Sequence, residues 1–570
     1  MRPRRLRLNH GQAYTCVCRC DPRVGVVWIG IDCPRRAVCA LIVGGVLSLS
    51  ASLPSRGEVP PPDATADSEM PTTVLGEDGG EHTLLGPVAV AWEATLDGPE
   101  GGSDTADSII LGADQGSVFV GGTVTSGPLQ DYIWPTTAFG TVAYDARTGV
   151  QLWSTHYENS ALPVHSAIDM DASRNGRLLA LTGYAWKGLD THIVVVGIDP
   201  RTGADLWQVV DRTDRSQYVA DLTFSPDSAK VFIAGSRHQS TPEGYLNGVP
   251  DAIVESFDAD TGSLLWRDVY QTESNSGSSA SSIAVSPDGR TLYVAGQSMV
   301  GEYPQTHSVA TLLAYDTSTG ERRWVWTYPP LSEETLTIEN LMVSPDGWTV
   351  YSVGGWIDRT SPWKAGFMVT AFDTMTGSER WFSTHPLGAG TLGPVQATLS
   401  SDGRRVFVVG YDYLNDTDLS DLLVAGYDTA HGSLLWEASY GTGPGQSDMP
   451  SDIAVSQNGR MVVITGRSGS PSVPISGPST PPPPPIVRSF ATVGYDAQTG
   501  KRLWAAHYLG PAGRDGMGTS VAIAKNGRRV FVTGFTDGLT GPPGGEGDYF
   551  TVAYDVFPPR RPAGVLVHRN

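Results

Sequence analysis

The sequence predicts an all-β chain: an eight-bladed β-propeller of four-stranded antiparallel blades, its ring closed by an N-terminal strand. Three observations carry this. A segment of the form Asp-x-x-x-Gly recurs along the chain, a tryptophan follows it at a fixed distance, and an orphan strand at one end matches a strand missing at the other. Self-similarity at a period of several tens of residues marks a repeat architecture and outranks any local propensity.

The recurring segments begin at Asp145, Asp199, Asp258, Asp316, Asp373, Asp428 and Asp496; an eighth, Asp555, ends the series with no Thr-Gly after it. Trp153, Trp207, Trp266, Trp324, Trp381, Trp436 and Trp504 each stand eight residues beyond the first seven. Ahead of each Asp lies a β-run ending in glycine, such as VFVGG (118–122), VFIAG (231–235) or VFVTG (530–534). Before that comes a strand closed by a tight turn, as in IAVSPDGR (283–290). Each unit therefore reads strand, tight turn, strand, loop, strand, Asp-x-x-Thr-Gly turn, strand, which is one blade. The Asp accepts from amides two or three residues on, and the Gly supplies positive φ, so the last two strands fold back as a hairpin. The Trp offers a flat apolar face to the neighbouring blade and an indole N–H to a carbonyl.

The last unit stops after its third strand, whereas VAVAWEATL (88–96) resembles a lone fourth strand with Trp92 in the docking position. Pairing the two closes the ring and hides the edges that an open array would expose. The wider spacing between Asp428 and Asp496 is explained by an insertion, Ser468–Pro485, with the run TPPPPP, read as a stiff surface excursion.

Composition agrees. Glycine is abundant (67 residues), and only 17% of residues are charged, which suits short strands and many tight turns. The net charge of −21 argues against nucleic acid and anionic membrane as partners. All five cysteines precede residue 40 (Cys16, Cys18, Cys20, Cys33, Cys39), with no partner pair at zinc-finger spacing. Arg35 and Arg36 precede the apolar run Ala37–Leu49 and the small residues Ser50, Ala51 and Ser52, a pattern expected of a secretory signal or an uncleaved anchor. The expected organisation is a basic leader over 1–52, a disordered linker over 53–85, the propeller over 86–556 and a tail over 557–570. The expected location is secreted or at the cell surface, as a monomer.

AYDARTGVQLW (143–153), AYDTSTGERRW (314–324) and AFDTMTGSERW (371–381) resemble the tryptophan-docking motif of pyrroloquinoline-quinone (PQQ) dehydrogenase propellers, a likeness that covers about residues 88–555. SPDGRTLYVAG (286–296) is also similar to the short propeller repeats of bacterial surface proteins. These motifs hold blades together and imply the fold. The resemblance would imply PQQ and calcium only if the site residues came with it. The family typically holds the quinone beneath a vicinal Cys-Cys disulfide, and here no cysteine follows Cys39. No cofactor is therefore expected, and no catalytic residue is assigned. A PQQ-dependent oxidoreductase is the first alternative, and a lyase or hydrolase using the central channel is the second. Gly-x-Ser-x-Gly, His-Glu-x-x-His and Walker patterns do not occur. The carboxylates around Asp412–Asp421 do not have EF-hand spacing.

Loops alternate between the two ends of an antiparallel blade. The tight turns and the Asp-x-x-Thr-Gly turns therefore share one face; the second-to-third-strand loops and the inter-blade connections share the other. Variable loops over a rigid scaffold are where binding surfaces lie. That loop face carries Trp134, Trp186, Trp356 and Trp363 with Tyr132, Tyr184 and Tyr245, and the polar residues Lys187, Asp190, Arg237 and Asp358 nearby. Exposed aromatics there suit a protein or glycan ligand; the competing reading is that the rings bury themselves under their own loops. Asp251, Asp421 and Asp548 recur in register at the start of the third strand and are expected to cap it.

Overall fold

The computed structural model describes residues 71–75, 81–99 and 102–557, with gaps in the loops at 131–133, 189, 212–215, 239–249, 273–276, 301–306, 329–333, 359–363, 388–393, 414–419, 443–445, 471–487, 511–514 and 538–546. It also describes three strands in a separate N-terminal unit, Met1–Ala66. These strands, Cys16–Cys20, Val27–Ile31 and Cys39–Ile42, pair antiparallel in chain order. No helix among the described residues is long and apolar enough to cross a membrane.

The second unit is an eight-bladed propeller. Blade 1 is built from Thr105–Leu111, Ser117–Gln130, Trp134–Asp145 and Gln151–Tyr157, and blades 2 to 7 repeat that order. Blade 8 takes three strands from Asp515–Ile523, Arg529–Asp537 and Tyr549–Val556, and its fourth is Val88–Leu96. Ala553 lies opposite Trp92 in that closing pair, as the unmatched ends of the repeat predict.

The seams between blades are set by the repeat's own residues. The indole N–H groups of Trp92, Trp153, Trp207, Trp266, Trp324, Trp381 and Trp436 each donate to a carbonyl of the next blade, at 2.9–3.2 Å. The acceptor is always the residue after the turn Asp: Ala146, Pro200, Ala259, Thr317, Thr374, Thr429 or Ala497. The turn glycine then lies flat on that indole. A Cβ on Gly262, for example, would meet the Trp207 ring at 2.6 Å, and its φ of 68° is one only glycine holds without strain. The turn Asp does its local work as expected: Asp145 Oδ1 accepts from the amides of Arg147 and Thr148 and from the Thr148 hydroxyl. Trp504 departs from the pattern. The blade after it has no Thr-Gly turn, so its indole N–H points to Met461 Sδ at 3.5 Å instead. Asp555 is held by Arg529 through two bonds, at 2.8 and 3.0 Å.

One expectation needs correction. The segment 53–85 is not an unstructured linker throughout: Thr72–Leu75 and Glu81–Leu85 form a hairpin that pairs with Arg502–Leu509, the outer edge of blade 7. His82 and Leu84 alternate inward on this strand and are buried. His82 Nε2 lies 2.8 Å from Glu93 Oε2, and its ring is 4.7 Å from Tyr508. Where blades 2, 3 and 6 expose Gln208, Arg267 and Glu437 just after the docking Trp, blade 7 has buried Ala505. Small apolar side chains leave room for the added strand. The short alternation His82–Leu84 is hidden in a segment rich in Pro, Asp and Thr.

Candidate functional site

The central channel is lined by the eight first strands, and seven of them carry a bulge at the same place, between residue pairs such as Ala167/Asp169, Val219/Asp221, Ala280/Ser282 and Pro450/Asp452. The bulge drives a first-strand carbonyl against the glycine in the middle of the second strand. A Cβ on Gly296 would sit 1.9 Å from the carbonyl oxygen of Ser279, which explains why the β-run of nearly every unit ends in Gly. The residue after the bulge is polar, and it reaches the next blade. The Leu222 amide donates to Asp169, the Ile283 amide and Ser282 hydroxyl to Asp221, the Leu341 amide to Ser282, the Ala397 amide to Asn340, and the Val521 amide and Ser520 hydroxyl to Asp452. A girdle of side chains thus satisfies the open edges of the innermost strands.

Burial governs the acid groups here. Desolvation raises Asp452 and Asp171 to about 6 and Asp107 to about 8, and it raises Asp169 and Asp221, which face each other across the blade 2–3 seam. PQQ and its calcium would need free oxygen donors at this channel. Asp169, Asp221 and Asp452 each have an oxygen that serves a backbone amide of the next blade, which suits them poorly to that group, whereas the buried Oδ2 of Asp107 has no partner among the described residues. Asp97, Asp104 and Asp548 bring carboxylate oxygens within 4.8 Å of one another where blade 8 meets blade 1. Asp104 is buried, accepts from the amides of Gly98 (2.5 Å) and Thr125 (2.7 Å), and is raised to about 6, chiefly by desolvation. Asp251 holds Arg237 at 3.3 Å and accepts from Gln271. Between blades 6 and 7, His507 lies 2.6 Å from the Tyr440 hydroxyl and 3.1 Å from that of Ser489; burial pushes it down to about 4 and keeps it neutral.

The loop face gathers some of the expected aromatics and not others. The expectation that Tyr184 and Trp186 stand in a loop is corrected: both lie within the second strand of blade 2, Leu179–Lys187, half-buried and 5.7 Å apart. Tyr184 meets Tyr218 edge-on at 5.4 Å, and Tyr218 meets His238 at 5.6 Å, so four rings run as a ladder from blade 2 to blade 3. Tyr218 and His238 are not legible as site residues in the sequence, because the first strand that carries Tyr218 gives no sign of which loop it will face. Trp356 corrects an expectation: it is 8% exposed and packs with Leu336, Ile338 and Met368, so it belongs to the core of blade 5. Tyr132, Tyr245 and Trp363 lie outside the described residues, as does the side chain of Trp134. Lys187 is exposed.

The turn face is less closed than two sets of tight turns suggest. A cavity of about 620 Å³ lies between blades 8 and 1, lined by residues that include Arg147, Arg528, Phe531 and Phe557. A similar groove of about 480 Å³ lies between blades 5 and 6. Trp348 (56% exposed) and Met375 (73%) stand beside each other on this face, joined by the bond from the Thr374 amide to the Trp348 carbonyl.

Docking indoles, turn glycines and a closed ring of eight define a propeller of PQQ-like repeats. The chain belongs to the family whose model is described as that of outer membrane protein assembly factor BamB, which matches residues 88–241 and 250–480. No curated protein matches the chain in sequence. Among solved structures, a quinohemoprotein alcohol dehydrogenase from Comamonas testosteroni is similar at 12% identity over 82% of this chain and 76% of that one (TM-score 0.47). A europium-containing methanol dehydrogenase is similar at 13% identity over 82% and 93% (TM-score 0.45). Sqt1 of Chaetomium thermophilum bound to the N-terminus of ribosomal protein L10 is similar at 12% identity over 81% and 98% (TM-score 0.46).

Proposed function

We propose that this protein is a non-enzymatic binding platform that works outside the cytoplasm as a monomer and captures a protein or glycan through its loop face. The observation that carries this reading is the ladder Trp186–Tyr184–Tyr218–His238: four half-buried rings in contact, spanning two rigid blades beside the buried Arg237–Asp251 pair. Rings fixed by their strands give contact area with little ordering cost, as binding hot spots do. The bonds of Asp169, Asp221 and Asp452 support a structural role for those carboxyl groups, because their oxygens serve backbone amides. The family's name, that of an assembly factor, favours a protein over a glycan as ligand. The extracytoplasmic location rests on Arg35–Arg36 and the apolar run after them. The tryptophans that dock blade on blade supply the scaffold and take no part in capture.

The test compares wild-type protein with the Tyr184→Ala, Trp186→Ala double variant, both immobilised and offered a cell-envelope protein fraction and a glycan array. Wild type should retain a defined species that the variant loses, with the melting temperature moved by less than about 4 °C. Equal retention by both proteins would refute the ladder as the binding surface. Dye reduction after addition of PQQ and calcium, with stoichiometric uptake of the quinone, would refute the non-enzymatic reading.

A further inference from the structure

On the opposite, turn face, the cavity of about 620 Å³ at the blade 8–blade 1 seam combines an apolar floor with a cationic lip. Its floor is the half-buried Ala524 and Val556, over the buried Ala146 and Phe531, and Phe557, 52% exposed, forms one wall. Arg147 and Arg528 are exposed at the lip, and neither makes an ion pair with a carboxylate among the described residues. Arg529 is different: Asp555 and the carbonyls of Ala146 and Arg147 take four of its five donors, so it braces the seam.

The size of this cavity follows from how the ring closes. In the corresponding groove between blades 5 and 6, Arg380, just before the docking Trp381, reaches to Asp373 at 2.8 Å and Thr349 at 3.2 Å. At the closing seam the residue before Trp92 is Ala91, and no turn joins Asp555 to the closing strand. Among the described residues the groove therefore stays open, and Phe557 at its edge donates its amide to Pro87.

We propose that this seam cavity binds the free C-terminus of a partner polypeptide whose last side chain is apolar. Arg147 and Arg528 would take the carboxylate, and Val556 and Phe557 the side chain. Charge selects this occupant. Two unpaired guanidinium groups attract an anion and hold a carboxylate in a planar, two-bonded geometry. The protein as a whole carries −21, which repels polyanions such as nucleic acid or multiply phosphorylated chains. A single carboxylate on an apolar chain end satisfies the lip without meeting that repulsion, and capture of a terminal carboxylate is a known way for proteins to read peptides.

The full chain should be titrated calorimetrically with a hexapeptide of glycine and serine ending in free-acid phenylalanine, with the same peptide as its C-terminal amide, and with 3-phenylpropionate. The free acid should bind at least about tenfold more tightly than the amide, and the Arg147→Gln, Arg528→Gln double variant should lose at least about tenfold in affinity. Both arginines are exposed, so the variant's melting temperature should match wild type; a Phe557→Ser variant, altered at the wall alone, should weaken the peptide as well. Equal binding of acid and amide, no binding of the acid at about 1 mM, or wild-type affinity in the double variant would each overturn the proposal. Binding of 3-phenylpropionate as tight as the peptide's would overturn the polypeptide assignment.

Discussion

Trp207 in blade 2 and Ala259 in blade 3 are joined by an indole-to-carbonyl hydrogen bond of 2.9 Å, and the ring that makes it is covered by Gly262 of the same turn. One side chain thus does three things at the seam: it buries its face, satisfies a turn carbonyl, and fixes how closely the glycine approaches. Trp207→Ala removes all of them and leaves a cavity, and it should cost about 3–5 kcal/mol in denaturant unfolding. Trp186→Ala, on the half-buried ladder, should cost less than about 2 kcal/mol by the same measurement. Similar losses at the two sites would contradict the division between seam and surface.

Gly296 and Gly188 separate close approach from backbone conformation. Gly188 has φ of 67°, and a methyl added there would meet nothing within 4 Å, so Gly188→Ala should cost only about 1–2 kcal/mol, the strain of the left-handed region. Gly296→Ala puts its methyl 1.9 Å from the Ser279 carbonyl and must break the bulge; it should abolish cooperative folding or lower the melting temperature by more than about 10 °C. An Ala variant at 296 that melts like wild type would show that the bulge is not rigid.

Closure makes a graded prediction for N-terminal truncation. Removal of residues before Pro87 takes away the hairpin but keeps Val88–Leu96, so the ring should persist, with Tyr508 and its stacked partner Phe550 newly accessible and binding of a hydrophobic dye increased. Removal through Asp97 opens blade 8 and exposes two sheet edges, and the protein should aggregate or unfold without a sharp transition. Size-exclusion chromatography separates the two outcomes; identical elution would argue against closure by Val88–Leu96.

The buried carboxyl groups predict a rise in stability on mild acidification. Asp104, Asp171 and Asp452 lie near 6 when folded against 3.8 unfolded, so the folded protein takes up protons first. The stability this adds is complete below the unfolded value and is lost as pH rises through about 6. At the opposite end, Asp145, Asp316 and Asp373 are held below the ordinary range by their turn and Arg partners, and they cost stability once the pH falls under the unfolded value. His507, held near 4 against 6.5, works the other way and loses stability below about pH 6.5. The raised carboxyl groups outnumber it, so the melting temperature should climb from pH 8 to a maximum near about pH 4–5 and fall below it. Asp452→Asn, which keeps an oxygen for the Val521 amide, should flatten the climb. A melting temperature that falls steadily from pH 8 to pH 5 would rule this out.

The number of blades, the order of strands and the closing strand are all legible in the amino-acid sequence. They depend on signals that repeat locally, namely a turn Asp, a turn Gly, a Trp at fixed spacing and a second-strand Gly, and on the physical need to hide two sheet edges. The same signals assign Tyr184 and Trp186 to a loop, whereas the second strand of blade 2 runs on through Lys187 and includes both. What those elements bring together emerges only when the blades pack. Tyr218 and His238 complete the ladder because the first strand of blade 3 packs against blade 2. Trp356 is lost to the core because Leu336 and Ile338, from the start of its own blade, pack over it. The seam cavity exists because the one blade assembled from both chain ends lacks a turn. Each of these is a contact between residues far apart in the chain, and a repeat, which reports on one unit at a time, carries no information about the seam where the first unit meets the last.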